Sequence, residues 1–324
     1  MRSARQRKLI WAVVAAIAIS PACVIDHDGA GASGTFERTL EVPARVRVEV
    51  RTGSGDTTIL AGAAGQVQVR GEVRASGIFG NDERRVEQVT AKPPIDLTGS
   101  LLRIGPTQVS NVRITYTIEV PADAILDVHS GSGDVEARGV EGPVKLVSGS
   151  GDIRAGEVRQ SAELSTGSGD VTVRDIGGAV DARTGSGEMK FERVRGDLRA
   201  RTGSGDLEVS DPGGRVDVRT GSGGIQVAGA SNDLRLHTSS GDCDVDGNPA
   251  RGSLWEIETG SGDVTLEVPE SASFQLHVVG RSSRVDTDLK MVTEESSKRE
   301  LRGRIGSGEA RVRVETSSGS VRIR

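Results

Sequence analysis

The chain has 324 residues, 41 Lys and Arg against 46 Asp and Glu for a formal net charge of -5, and only four Phe, two Trp and one Tyr among its hydrophobic residues. So few rings exclude an aromatic core, the near balance of charge excludes wholesale electrostatic binding of nucleic acid, and two Cys exclude a disulfide framework. The 44 Gly recur at ordered spacings, which excludes a disordered Gly/Ser chain.

Residues 1–22 read as a signal peptide: Arg2, Arg5, Arg7 and Lys8 precede an apolar stretch from Leu9 to Ile19 that is too short for a stable transmembrane helix and suits export. No later apolar run is long enough to span a bilayer. Ala22 before Cys23 resembles a bacterial lipobox, although Ser20 stands where that pattern usually has Leu. Cys23 is therefore the expected lipidation site and the membrane an expected partner, since two acyl chains plus an N-acyl group give stable anchoring. Ordinary cleavage after Ala22 is the alternative. Export to the cell envelope follows from either. Residues 23–35 are small and polar, with Gly29, Gly31 and Gly34, and suit a flexible tether.

Residues 36–128 alternate as strands (Val46, Val48, Val50; Val67, Val69; Val112, Ile114, Tyr116, Ile118) around a polar insertion from Asn81 to Pro94. They are expected to form irregular first coils or a cap.

Residues 129–263 hold an internal repeat, the first thing to look for in such a sequence. Gly-Ser-Gly-Asp or a near relative begins at Gly131, Gly149, Gly167, Gly185, Gly203, Gly221 and Ser239, six steps of 18 residues, with looser copies at Gly260, Gly306 and Ser317 and an outlying early one at Gly53. Counting Gly131 as position one, positions five (Val135 to Cys243) and seven (Ala137 to Val245) alternate with polar residues, as do positions fourteen (Val144 to Leu234) and sixteen (Leu146 to Leu236). Period-two alternation predicts two inward-facing strands per unit. A Ser/Thr column closes each unit at position eighteen, Ser148 to Thr238.

A parallel solenoid and an antiparallel meander both fit this pattern. Position fifteen (Lys145, Glu163, Asp181, Arg199, Asp217, Arg235) alternates charge at four of its five steps. Such alternation helps only where equivalent residues of successive units lie side by side, and a coil also closes its apolar face on itself. The expected fold is accordingly all-β, a parallel β-solenoid or β-helix with 18-residue coils, rising about 29 Å over six coils at the usual strand spacing. Residues 264–324 are expected to add C-terminal coils or a cap, with a charged loop from Thr293 to Arg299 and Arg311, Arg313, Arg322 and Arg324 blunting the open end.

The run from Tyr116 to Val135 (Tyr-Thr-Ile-Glu-Val-Pro-Ala-Asp-Ala-Ile-Leu-Asp-Val-His-Ser-Gly-Ser-Gly-Asp-Val) and the closing Glu315 to Ile323 resemble the bacterial putative-adhesin, β-strand-repeat family called domain of unknown function 4097. The resemblance implies a secreted or membrane-tethered parallel β-solenoid. It implies no catalytic residue.

Two columns are candidate sites. Asp134, Asp152, Asp170 and Asp206, continued by Glu188, Asp242 and Asp263, could ligate Ca²⁺; known calcium-binding repeats carry such a turn on both sides of the coil, and here Gly224 breaks the column. Turn chemistry, with Asp bonding local backbone, is the favoured reading. Arg183, Arg201 and Arg219, with Arg51, form a partial basic stripe suited either to an anionic envelope polymer or to a solvated face of weak ion pairs.

Enzyme signatures are missing: no nucleophile elbow, dinucleotide loop or phosphate loop is complete. His129 and His237 fall six coils apart, His27 lies in the tether, and His277 has no metal-ligand spacing. Cys243 sits at inward position five as a core residue. No cofactor, metal or nucleic-acid partner is expected. The expected function is non-enzymatic: an envelope-anchored binding or scaffold surface for an envelope protein or polysaccharide. Self-association through the terminal coils is the second expectation, and polysaccharide processing on a β-helix the third.

Overall fold

A computed structural model describes residues 23–24, 31–76, 81–280, 285–297 and 299–324. The expected signal peptide lies outside them, as do residues 25–30 of the expected tether. The described chain is all-β apart from one helix and builds two fifteen-stranded sheets. Through the repeat it passes alternately between them, from Val135–Arg138 in the first sheet to Val144–Ser148 in the second and back to Ile153–Val158.

Within each sheet the repeat strands pair in parallel and in constant register. Val135 faces Ile153, which faces Val171; Val144 faces Ala162, which faces Val180. Pairing of equivalent residues excludes the meander of antiparallel hairpins. The inward columns are buried throughout, Val135, Leu207, Val180 and Val216 at no more than 2% exposure, and both sheets contribute to one apolar core. Each Val or Leu so buried contributes roughly 1.5–3 kcal/mol. Aliphatic and small side chains predominate there because the coil is narrow; Phe191 is the aromatic exception at position seven, and Trp255 enters where its coil is three residues longer, pairing with Leu234 at a spacing of 21, its indole N–H donating to the Asn232 carbonyl at 2.8 Å.

A third inward column stands at position ten: Val140, Val158, Ile176, Val194 and Ala230 are buried although they do not fit the alternation of either strand. Position nine explains it. Gly139, Glu157, Asp175, Arg193, Asp211 and Gly229 all adopt positive φ, between 53° and 77°. One left-handed residue turns the chain, so positions seven and ten both point inward and the coil closes at that corner.

At both ends the spatial order departs from the chain order. The pair Arg47–Thr52 and Thr57–Gly62 lies directly beneath Ile125–Ser130 and Val135–Arg138, while the later pair Leu101–Ile104 and Val112–Pro121 stacks outside it. At the other end Ala310–Ser318 lies between Leu254–Ser261 and Phe274–Gly280, and Val321–Ile323 between Val264–Glu267 and Val285–Thr287. The looser turn copies at Gly53 and Ser317 are therefore members of the ladder. The copy at Gly306 is not; it lies in the link between Glu300–Ile305 and Ala310–Ser318.

Three expectations for the flanks are corrected. Ala32–Thr35, expected in the tether, opens the strand Ala32–Glu41, which pairs antiparallel with Gln66–Ala75. Gly34 serves close packing there, since a Cβ would stand 2.6 Å from Val86 Cγ1. Val86 belongs to the helix Asp82–Ala91, which fills the polar insertion and buries Val86, Val89 and Thr90. Val292–Ser296, overlapping the expected charged loop from Thr293 onward, is a fully exposed strand paired antiparallel with Glu300–Ile305. Arg311, Arg313 and Arg322 lie on interior strands and Arg324 just beyond one, so the blunting of the open end falls instead to strands such as this one, which carries Glu294 and Glu295.

Candidate functional site

Two hydrogen-bonded columns run along the Gly-Ser-Gly turns. At position eighteen each buried hydroxyl reaches the coil before it: Ser148 donates to the Gly133 carbonyl at 3.0 Å, Thr166 to Gly151 at 2.8 Å and Thr184 to Gly169 at 3.0 Å. Ser148 and Thr166 also accept the N–H of Gly151 and Gly169 in their own turns, at 2.9 and 3.2 Å. Glycine recurs here because the turns touch: a Cβ on Gly151 would lie 2.2 Å from the Gly133 carbonyl oxygen.

The acidic column does related work. Asp134 accepts the N–H of Asp152 at 2.9 Å, Asp152 that of Asp170 at 3.0 Å, Asp170 that of Glu188 at 2.8 Å and Asp206 that of Gly224 at 2.7 Å. The bonds run between coils, where turn chemistry predicted bonds to local backbone. The direct stacking of turns places the next coil's N–H closer than the carboxylate's own. One oxygen of each candidate calcium ligand is thereby engaged, and Asp134 and Asp152 also meet Arg154 at 3.2 and 2.8 Å. Among the described residues no three His, Cys, Asp or Glu side chains gather as a metal-holding group.

The outer wall of the second sheet carries the remaining candidates. Its position-fifteen column lies side by side as the charge alternation requires, but only some neighbours join. Lys145 meets Glu163 at 2.8 Å and Arg199 meets Asp217 at 3.7 Å, while Asp181 and Asp217 turn along their strands to Arg183 and Arg219, at 2.8 and 3.0 Å. The hydrogen bond to Glu163 holds the Lys145 ammonium above its ordinary pKa of 10.5, and the Arg235 guanidinium is raised by its bond to Glu256.

Arg183, Arg201 and Arg219 occupy adjacent strands in register. Arg183 and Arg219 each hold an acid; exposed Arg201 between them has no ion-pair partner among the described residues. Arg51 shares the column but stands apart, beside His129 and separated from Arg183 by Val147 and Ser165 as well. The stripe borders a groove of about 960 Å³ lined by Lys145, Glu163, Asp181, Arg199, Asp217 and Arg235, among others. The groove thus mixes acids with bases, and the three stripe arginines stand at the strand separation of about 4.8 Å.

Among the described residues no aromatic side chain offers a stacking surface for sugars: Phe36, Tyr116, Phe191, Trp255 and Phe274 are all buried. Cys243 is buried in the core as expected, and burial, then the neighbouring Asp244 and Asp242, pushes its thiol up to about 12. Cys23 is described only as a short strand with Val24, paired with Gly34 and Ser33. No helix among the described residues is long and apolar enough to cross a membrane.

Comparison with known proteins gives a family and distant structures. Residues 47–215 and 213–324 match the sequence pattern of the family described as Toastrack DUF4097. No curated protein matches in sequence. A putative cell adhesion protein from Clostridium sporogenes is 13% identical, with 89% of this chain and 98% of that one covered and a TM-score of 0.22. A putative lipid binding protein from Parabacteroides distasonis is 14% identical, with 90% and 96% covered and a TM-score of 0.38. A putative adhesin from Bacteroides fragilis is 9% identical, with 90% and 97% covered and a TM-score of 0.30.

Proposed function

We propose that this chain, which belongs to the Toastrack DUF4097 family, is a non-enzymatic binding wall of the bacterial cell envelope, held to a membrane by lipid on Cys23 and presenting the Arg183, Arg201 and Arg219 stripe to an anionic envelope polymer. The observation that carries the reading is Arg201, an exposed guanidinium with no ion-pair partner among the described residues, between two arginines in register. Three cations at strand spacing suit a polyanion better than a single small ion, because each repeat of the polymer meets an equivalent residue. The coil ladder supports the same reading, since it makes the wall rigid and its charges pre-positioned, which lowers the ordering cost of binding.

End-to-end assembly draws less support. Val292–Ser296 at one end is exposed along its whole length and carries Glu294 and Glu295, and acidic edge strands resist pairing with a further copy. Polysaccharide processing draws less still, since the aromatic side chains among the described residues are all buried.

The test is binding of polygalacturonate to the full chain, with neutral dextran as the control. Salt-sensitive binding of the polyanion alone, lost when Arg183, Arg201 and Arg219 are replaced together by Gln, supports the reading. Polyanion binding that survives the triple replacement overturns it. For the anchor, Cys23→Ser is expected to move the protein from the membrane to the soluble fraction; unchanged membrane association rejects lipidation at that residue.

A further inference from the structure

The C-terminal strand pair occupies an interior level of the stack although it is the last segment of the sequence. After Val264–Glu267 the chain skips one level to Phe274–Gly280, runs out to the end strand Val292–Ser296, turns back through Glu300–Ile305 and then crosses Phe274–Gly280 to fill the level it left. The gap is built to the specification of a repeat coil. Leu254 through Thr259 face Arg311 through Thr316 residue for residue, and Thr316 donates to the Gly262 carbonyl at 3.4 Å. Asp263 receives the Ser320 N–H at 2.7 Å, and Arg324 joins Glu267. On its far side the inserted pair faces Phe274–Gly280 and Val285–Thr287, again in parallel.

Four residues connect this pair to the rest of the cap: Gly306, Ser307, Gly308 and Glu309. Ile305 and Ala310 flank Phe274 on opposite sides. The link therefore crosses one strand, a span of two strand spacings or about 9.6 Å. It turns sharply, with Gly306 at φ 60° and Gly308 at φ 75°, and the N–H of Ser307 donates to the Ser273 hydroxyl oxygen at 3.0 Å. A short link that must fold back, next to a terminal segment that makes all its contacts with one slot, is the arrangement in which exchange between copies conserves every contact.

The geometry points to reciprocal exchange of Ala310–Arg324 between two copies of this chain, each terminal pair filling the other's slot to form a two-fold dimer. Straightening Gly306–Glu309 carries the donor pair away from its own slot, and the partner's slot offers the same ladder of backbone and side-chain acceptors. Closed and exchanged forms then differ only in the link and in the entropy of association, so concentration during folding selects between them. This dimer uses neither the arginine stripe nor the end strand Val292–Ser296, and stands independently of the function proposed above.

The test places a reporter across the slot boundary. Glu258 and Glu315 are register partners. In the full chain carrying Glu258→Cys and Glu315→Cys, with Cys23→Ser and Cys243→Ala to remove the native thiols, oxidation with oxidised glutathione joins the two positions. After refolding across a range of concentrations and separation by size, the dimer fraction is expected to rise with concentration, and on a non-reducing gel dimers should run as two linked chains while monomers run as one. Insertion of Gly-Ser after Ser307 relaxes the link and is expected to lower the dimer fraction. A strict monomer at every concentration, a dimer whose bridges all lie within single chains, or a dimer fraction unmoved by the longer link overturns the proposal.

Discussion

Asp263 accepts the backbone N–H of Ser320 at 2.7 Å across 57 residues of sequence. This is the bond that Asp134 makes to Asp152 across 18 residues, so the displaced C-terminal pair joins the stack on the repeat's own terms. The bond to Ser320 holds the Asp263 carboxyl below its ordinary pKa of 3.8. Asp175 beside Arg193, Glu192 beside Arg174 and Glu300 beside His277 are lowered likewise. A carboxylate whose native pKa is depressed lends stability that is complete above its unfolded pKa and lost as pH falls through the native one. The melting temperature is therefore expected to hold steady from neutrality to about pH 5 and to fall progressively below about pH 4. Asp263→Asn should make that fall shallower. A melting temperature unchanged down to pH 3, about a unit below the ordinary carboxylate range, would show that these bonds contribute nothing.

The inward assignment of Val171 and Leu207 is testable by charge. Both are buried, at 0% and 1% exposure. Val171→Asp or Leu207→Asp places an unpaired carboxylate among aliphatic side chains, with an expected loss of several kcal/mol. Thr172→Asp, at an outward position in the same strand, serves as the control and should change stability by less than about 0.5 kcal/mol. Thermal unfolding of the three variants decides the matter, and equal melting temperatures for Val171→Asp and Thr172→Asp would refute the assigned facing.

Much of this fold is legible in the residue pattern alone. Val135, Val180 and Leu207 announce their facing through period two, and Lys145 and Glu163 announce parallel stacking through charge. What escaped the sequence depended on contacts between distant segments. Position nine mixes Gly, Glu, Asp and Arg, so no residue type signals its left-handed conformation; the apolar column at position ten was the available clue. Gly34 looked like tether because its reason, the approach of Val86, lies across the insertion. The copy at Gly53 looked like an outlier because 78 residues separate Asp56 from Asp134, whose N–H it accepts at 3.1 Å. Arg183, Arg201 and Arg219 are visible as a column, but that Arg201 alone of the three lacks an acid among the described residues follows from which way Asp181 and Asp217 turn.

Thr166 separates the hydroxyl's contribution from that of its methyl. Its oxygen donates to the Gly151 carbonyl and accepts the Gly169 N–H. Thr166→Val keeps the shape and strands two backbone groups at a buried position, which is expected to cost about 2 kcal/mol. Thr166→Ser keeps both bonds and loses one methyl, for a loss of about 1 kcal/mol or less. Denaturant unfolding should rank wild type, Ser and Val in that order. If Ser proves the worse replacement, packing of the methyl governs the column and the hydroxyl ladder is incidental.

Glu157 offers the opposite sign. It holds φ at 53°, a conformation that disfavours any residue with a Cβ, and it is exposed with no ion pair among the described residues. The left-handed conformation costs a non-glycine residue roughly 1–2 kcal/mol. Glycine removes that cost and adds roughly 0.5–1 kcal/mol of chain entropy in the unfolded state. The balance for Glu157→Gly is a gain of up to about 1.5 kcal/mol, by the same residue choice already present at Gly139 and Gly229 in this column. Arg193→Gly should gain less or lose, because Arg193 holds the same conformation while binding Asp175 at 2.6 Å. Paired denaturant titrations of the two variants measure the difference. Destabilisation by Glu157→Gly would mean that the corner at position nine is set by something other than its left-handed backbone, and the account of the buried position-ten column would fail with it.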